Sequence, residues 1–176
     1  TLISEFNIEK FPALILSDDL DAYPNIAQNL EQLASKSNGY YVIESQVPYI
    51  DITNNIRGLV TLTMIDDSTC NDCYDVELHK EILARFGLAI DNEKNVDINS
   101  AEGKALKEKY NLKKIPTVIL SNDLEAYEGF DVVWQQVGTV DTDGSYVFRE
   151  IEVLSQNIIY KDLTTGKVVG NAVQSG

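Results

Sequence analysis

The chain has 176 residues, a hydrophobic fraction of 44% and a formal net charge of −14 at pH 7. This length suits one domain or one domain plus part of another, and the hydrophobic fraction is sufficient for a folded core. The acidic charge argues against nucleic acids and anionic membranes as partners, because both are negatively charged. No apolar stretch approaches the ~20 residues of a membrane-spanning helix, so we expect no membrane contact from this segment.

Two further features concern the compartment of the protein. The chain opens on Thr1 rather than Met, and we interpret this start as a processed or truncated end. Its two cysteines, Cys70 and Cys73, are too few for a disulfide-stabilised scaffold. We favour an extracytoplasmic location, as a secreted protein or a membrane-anchored ectodomain, although this cysteine content is also compatible with the cytoplasm.

An internal repeat divides the chain. Residues 6–23, FNIEKFPALILSDDLDAY, match residues 110–127, YNLKKIPTVILSNDLEAY, at ten of eighteen positions. The second copy follows a long segment that contains the cysteines, whereas the first copy has only a few residues before it and no cysteine. We therefore predict that residues 1–57 are the rear half of an inactive unit and that residues 58–176 form a second, related domain. The boundary falls in DITNNIRG, which is rich in turn-forming residues.

Hydrophobic patterns predict the elements of the second unit in chain order. Residues 58–65 form a buried strand, 74–87 a helix that follows the cysteines directly, 94–98 a short strand and 99–111 an amphipathic helix capped by Asn99 or Ser100. A strand at 115–121, a helix at 122–138 weakened by Gly129, a strand after an Asp-Gly turn within 139–151, and a hairpin at 158–170 complete the unit. Alternating strands and helices predict an α/β fold with at least one parallel crossover.

The cysteine pair lies where a strand leads into a predicted helix. The positive end of a helix dipole favours a thiolate, which is the nucleophile in thiol–disulfide exchange. Cys70 is then the exposed attacking thiol, and Cys73, one turn into the helix, is the more buried resolving thiol. Asn71 and Asp72 form the insert between them, and the Asp72 carboxylate opposes the dipole because it disfavours a second negative charge. We expect a pair that is less oxidising than one with a neutral or basic insert.

Two other uses of the pair are open. A zinc site needs three or four protein ligands, but the single histidine, His79, lies about 13 Å along the predicted helix from Cys70 and on its opposite side. We interpret His79 as a half-buried helix residue rather than a ligand or a base. A passive crosslink would close a very small loop, which limits its stabilisation of the fold. The sequence has no phosphate-binding loop and no Ser-His-Asp arrangement, and we expect neither a metal nor another cofactor.

The CxxC pair after a buried strand, and Ile115-Pro116-Thr117 before another strand, resemble the thioredoxin superfamily, in particular tandem units of the protein disulfide isomerase type. The resemblance covers residues 58–150 and implies a central mixed sheet flanked by helices, preceded here by a partial second copy. It also implies that Pro116 has a cis peptide bond and faces the cysteines, and that Ile115 offers its backbone to the substrate.

The chain departs from that family in two places. Thioredoxins carry a buried acid six residues before the first cysteine, where this chain has Met64; Asp66 and Asp67 lie closer, at the strand end. The predicted helix at 122–138 is an insertion, which either shapes a substrate groove or packs Trp134 on the sheet.

These observations predict a thiol–disulfide oxidoreductase that exchanges disulfides with protein or peptide thiols and that needs a redox partner. Cys70 and Cys73 are its catalytic residues, Ile115 and Pro116 bind the substrate, and Asn71 and Asp72 tune the pair. The alternative is a binding or scaffolding module of the same fold whose dithiol is vestigial, because the first unit has no cysteines and the insert is unusual.

Overall fold

The chain divides into two compact units, Thr1–Gly58 and the residues from Leu59 onward, one residue beyond the boundary predicted from the sequence. The structure, a computed structural model, describes residues 1–170; residues 171–176, the end of the predicted second domain, lie outside that range. The described residues contain both helices and strands, with five α-helices and four sheets, so the chain belongs to the α/β class.

The first unit contains two small antiparallel sheets, with the strand orders β2-β4-β3 and β1-β5-β6. Its core is formed by Phe6, Ile8 and Val42. The elements are α1 (Leu2–Phe6), β1 (Lys10–Phe11), β2 (Ala13–Ser17), a short 3₁₀ helix (Asp18–Ala22), α2 (Pro24–Leu30), β3 (Ser35–Ser37), β4 (Tyr40–Glu44), β5 (Tyr49–Asp51) and β6 (Ile56–Arg57).

The second unit contains a five-stranded mixed sheet of order β11-β12-β10-β7-β8 and a three-stranded sheet of order β14-β13-β9. Within residues 1–170, only β7 and β8 pair in parallel, which is the crossover that the sequence predicts. The elements are β7 (Leu59–Asp66), α3 (Leu78–Arg85), β8 (Ala89–Asp97), α4 (Ala101–Lys109), β9 (Lys114–Ile115), β10 (Thr117–Leu120), 3₁₀ helices at Asn122–Ala126 and Ile151–Val153, α5 (Phe130–Trp134), β11 (Gly138–Val140), β12 (Tyr146–Phe148), β13 (Tyr160–Asp162) and β14 (Val168–Val169).

The central strand β7 separates two apolar clusters. Val60, Leu62 and Met64 face the larger cluster, which also contains α5 and β12 residues, and Ile65 faces the smaller one under α4. All four side chains are at most 1% exposed. The strand therefore lies between the two clusters, and the cysteines follow its carboxyl end.

Two predicted elements differ from the structure. β8 begins at Ala89 rather than at residue 94. Its first two residues, Ala89 and Ile90, are half-buried, and the next three are polar and exposed, so this part of the strand has no alternating apolar pattern. The helix predicted over 122–138 is wrong as one element: Gly129 has a φ of 76° and separates the 3₁₀ helix at Asn122–Ala126 from α5. The predicted helix at 99–111 is present as α4, and Ser100 caps it by accepting the Gly103 N–H at 2.9 Å.

Gly103 is required for the contact between α4 and β8. A Cβ at this position would lie 2.2 Å from the Asp97 carbonyl oxygen and 2.7 Å from the Ile98 Cα. Gly103→Ala should therefore lower the free energy of unfolding by about 1–3 kcal/mol, although alanine normally stabilises a helix relative to glycine. Urea denaturation tests this, with the exposed neighbour Lys104→Ala as control. A Gly103→Ala protein as stable as the wild type would contradict the predicted clash.

Candidate functional site

Cys70 and Cys73 form a disulfide bond in a turn between β7 and α3. The S–S distance is 2.02 Å and the Cα atoms are 5.5 Å apart. The Cys70 N–H donates to the Asp67 carbonyl at 2.8 Å, and the Cys73 N–H lies 3.3 Å from the Cys70 carbonyl. Both cysteines of this disulfide are half-buried.

The predicted helix start at the cysteines is wrong, because α3 begins only at Leu78. The Tyr74 N–H, which a helix would direct at a preceding carbonyl, donates instead to the Ile159 carbonyl at 2.9 Å. Asp75 then accepts the Glu77 N–H at 2.9 Å and opens the first turn of the helix. The disulfide therefore lies outside α3, and the positive end of its dipole, which acts over the first turn, does not explain any activation of Cys70.

Asp67 holds the disulfide turn from inside the protein. Its side chain has no exposed surface, and its Oδ1 atom accepts the Thr69 hydroxyl at 2.6 Å and the Asn99 amide at 2.9 Å. Its Oδ2 atom forms an ion pair with the Lys161 ammonium group. Burial raises the pKa of Asp67, but the hydrogen bonds from Lys161, Thr69 and Asn99 outweigh it and hold that pKa well below its ordinary value. Asp67 is therefore ionised at neutral pH.

Tyr74 connects the turn to the predicted substrate-binding loop. Its hydroxyl donates to the Pro116 carbonyl at 2.7 Å and lies 3.0 Å from the His79 Nε2 atom. Because the single hydroxyl proton is used on Pro116, Nε2 of His79 carries the proton of the second hydrogen bond. The Ile115–Pro116 bond is cis. Tyr74, the residue next to Cys73, is thus hydrogen-bonded to Pro116, the proline that the family resemblance predicts to face the cysteines.

In the Tyr74–His79 pair, His79 is buried and Tyr74 is half-buried. His79 is 3% exposed, in contrast to the half-buried helix position expected for it. Burial lowers the pKa of His79 to about 4 and raises the pKa of Tyr74. Both groups are therefore neutral near pH 7, and the pair is a structural connection rather than a source of charge.

Ile115 is placed differently from the expectation of a free substrate-binding backbone. Its side chain is completely buried, and its main chain lies in β9, in register with Lys161 of β13. Further along the same pair of segments, the Leu163 N–H donates a hydrogen bond to the Lys113 carbonyl at 2.8 Å. A bound substrate segment would therefore compete with β13 for this position.

The acids that precede the cysteines differ from one another in environment. Met64 occupies the position of the family's buried acid and lies in the core, 1% exposed. Asp66, at the end of β7, is half-buried and in register with Asp97 of β8. Burial first, and then the charges of Asp97, Asp67 and Asp75, raise the pKa of Asp66. Asp66 is thus the carboxyl before Cys70 whose proton affinity is increased.

Two further predictions concern the residues between the cysteines and the additional segment at 122–138. Asn71 and Asp72 are exposed in the disulfide turn. Trp134 is 4% exposed and donates its indole N–H to the Thr139 carbonyl, so it packs on the sheet. α5 also borders an apolar cavity of about 380 Å³ whose walls include His79, Leu83, Phe86, Phe130, Trp134 and Phe148.

Lys161 is the site residue that sequence reasoning missed. The motif YKDLT at 160–164 repeats YIDIT at 49–53, so Lys161 replaces Ile50 of the first unit. A cation at a position that is apolar in the copy without cysteines is the signal that could have identified it. The sequence predicts Asn99 only as a helix cap, and not as a partner of Asp67.

Two kinds of feature are absent from the part of the chain that the structure describes. Within residues 1–170, no group of three or more His, Cys, Asp or Glu side chains is arranged to hold a metal ion. None of the helices in that range is both long and apolar enough to cross a membrane.

The buried imidazole predicts a pH dependence of stability. His79 has a pKa of about 4 in the folded chain, against 6.5 ordinarily. The unfolded state binds a proton first as the pH falls, so the free energy of unfolding should decrease by about 3 kcal/mol between roughly pH 6.5 and pH 4. Denaturation across this range measures the slope. In His79→Gln, which retains an N–H for Tyr74, the contribution of His79 to that slope should be lost.

The control for this experiment is Glu81→Gln, an exposed carboxylate on the same helix, which should keep the wild-type slope. His79 is the single histidine of the chain. Asp66, whose pKa is raised, changes stability in the opposite sense but is present in all three proteins. Identical slopes for the wild type and His79→Gln would contradict the assignment.

Comparison of the chain with protein-family models, curated proteins and solved structures finds no match. The function is therefore argued from the site. That site is a Cys70–Cys73 pair at disulfide-bond distance, in a turn that Asp67 and Tyr74 fix to the rest of an α/β unit.

Proposed function

We propose that the second unit is a thioredoxin-like thiol–disulfide oxidoreductase acting on protein or peptide substrates. The observation that carries the proposal is the position of the disulfide, half-buried in a turn and joined through Tyr74 to the cis-bonded Pro116. A disulfide that is not fully enclosed is open to attack by a thiolate. The mixed sheet, with the cysteines after β7 and the proline before its antiparallel neighbour β10, also supports the family resemblance.

In this mechanism the reduced protein attacks first. The Cys70 thiolate attacks a substrate disulfide, forms a mixed disulfide and releases one substrate thiolate. The Cys73 thiolate then attacks the Cys70 sulfur, releases the second substrate thiolate and forms the Cys70–Cys73 bond. Two electrons pass from the dithiol to the substrate disulfide, and a thiol redox partner must reduce the pair again.

The surroundings of the pair favour a reducing rather than a strongly oxidising role. A thiolate here lacks the support of the α3 dipole, and Asp72 lies in the insert between the cysteines. Asp66 and Asp75 add further acidic groups nearby in sequence, whereas the charge of Asp67 is paired with Lys161. Because these charges disfavour a thiolate, they stabilise the disulfide relative to the reduced form. We place the activity outside the cytoplasm, where an intramolecular disulfide persists.

A binding module with an inert disulfide is the second candidate, and one observation favours it. The ladder position of Ile115, which a substrate would use, is paired with β13. The first unit has the same pairing between β1 and β5 and contains no cysteine. This candidate predicts partner binding that does not depend on the redox state of the pair.

Insulin reduction separates the two candidates. The wild type should accelerate it in the presence of dithiothreitol, and Cys70→Ser should reduce the rate to that of dithiothreitol alone, because the attacking sulfur is absent. Cys73→Ser should accumulate a mixed disulfide, visible by non-reducing gel and mass spectrometry. Ser68→Ala, an exposed residue of the same turn, is the control and should keep the wild-type rate. Equal rates for the wild type and Cys70→Ser would refute the enzyme proposal.

The charge of Asp72 predicts the direction of a change in reduction potential. Asp72→Asn removes a negative charge beside the thiols, stabilises the reduced form and should raise the potential by roughly 10–30 mV. Equilibration with glutathione buffers measures it, and the wild-type potential should lie well below ~−120 mV. Asp91→Asn removes the same charge near the start of β8, at the other end of β7 from the disulfide, and should leave the potential unchanged. A more negative potential in Asp72→Asn would contradict this electrostatic explanation.

A further inference from the structure

The two units share a substructure that extends beyond the sequence repeat. The β2-β4-β3 sheet corresponds to β10-β12-β11, and the β1-β5-β6 sheet corresponds to β9-β13-β14, with antiparallel pairing throughout. The register also agrees, because Leu16 pairs with Tyr41 as Leu120 pairs with Tyr146. The neighbours of each strand in the second unit can therefore be compared with those of its counterpart in the first unit.

One strand has a neighbour in the second unit that its counterpart lacks. β10 lies between β12 and β7, whereas β2 is at the edge of its sheet among the described residues. On the paired edge, the Ser121 N–H donates to the Thr61 carbonyl of β7 at 3.0 Å. The counterpart of Ser121 in the repeat is Ser17.

The register of β2 shows which backbone groups face its open edge. The Asp18 N–H donates to the Gly39 carbonyl, in line with the β2–β4 ladder. Because the backbone groups of an antiparallel strand alternate between its two edges, the N–H groups of Leu14 and Leu16 point toward β4. The N–H groups of Ile15 and Ser17 therefore face the open edge.

The side chains at this edge are apolar and incompletely covered. Leu14 is 52% exposed, whereas its counterpart Val118 is fully buried beside β7. Unpaired, apolar strand edges are templates for another strand. The first unit also has eight acidic and three basic residues, and Asp18 and Asp19 follow β2 directly. The ligand that fits this edge is an extended apolar segment with basic flanks.

We propose that the open edge of β2 binds an extended apolar segment of another polypeptide as an added antiparallel strand, in the register that β7 adopts on β10. The bound strand accepts the Ser17 N–H, as Thr61 accepts that of Ser121, and covers Leu14. This binding site lies in the unit without cysteines and does not depend on the redox proposal.

The probe is a fluorescein-labelled peptide with the sequence of residues 59–65, LVTLTMI, flanked by two lysines at each end. Fluorescence anisotropy with the full chain should show saturable binding. Ser17→Pro removes the N–H at a residue whose φ of −63° already suits proline, and should weaken binding by roughly tenfold or more. Ser17→Ala is the matched control, since it loses the same side-chain contact to Asp19 but keeps the N–H, and should bind as the wild type does.

A scrambled peptide of the same composition should not bind, which separates strand pairing from charge attraction. Equal binding of the scrambled peptide, or equal binding by Ser17→Pro, would overturn the proposal. The proposal would also be overturned if the wild type bound no peptide but formed a dimer that Ser17→Pro dissociates. The strand on the open edge of β2 would then come from a second copy of the chain.

Amide hydrogen exchange of the wild type tests the same site without a variant. Saturating peptide should slow exchange at Ile15 and Ser17, whose N–H groups face the open edge, and leave Leu16 unchanged because it already bonds to β4. Unchanged exchange at Ile15 and Ser17 would overturn the proposal even if Ser17→Pro failed to fold.

Discussion

The buried carboxylate of Asp67 is the interaction on which the arrangement around the disulfide depends. It accepts hydrogen bonds from Thr69 in the turn and from Asn99 just before α4, and it pairs with Lys161 on β13. An ion without such partners would cost several kcal/mol to bury, so these three groups determine where the carboxylate can lie. One side chain thus positions the disulfide turn, the connection from β8 to α4, and the second sheet relative to one another.

Local sequence is sufficient to predict most strands and turns of the second unit but not the start of α3. β7 is recognisable from its apolar alternation, and the hairpins from Asp143-Gly144 and Thr165-Gly166, because turn residues act within a few positions. The helix after the cysteines has a correct period but a wrong start. Its first residues are diverted by the Tyr74 N–H bond to Ile159, a partner far along the chain that no local pattern reveals.

The cysteine pair of the candidate site was predictable from the sequence, and the contacts that support it were not. The spacing of Cys70 and Cys73, at the end of a predicted strand, directs attention to this pair, and the repeat directs attention to Pro116. The Asp67–Lys161 pair joins residues 94 positions apart, and the Tyr74–Pro116 bond joins residues 42 positions apart. Contacts of this kind follow from the packing of complete elements, so a single sequence shows them only indirectly, as where Lys161 replaces Ile50.

Comparison of the two copies of the repeat also distinguishes the contacts common to both units from those found only in the unit with the disulfide. The hairpin that pairs beside the cis-bonded proline is present in both units, so β13 next to Ile115 belongs to the shared framework and is not specific to the cysteine-containing copy. The ion pair is different, because the first unit has Ile50 where the second has Lys161. A buried charge is retained only where its partners compensate for desolvation. The charge that distinguishes the second unit therefore accompanies the cysteines, and it is through Asp67 that the shared framework is adapted to hold a disulfide turn.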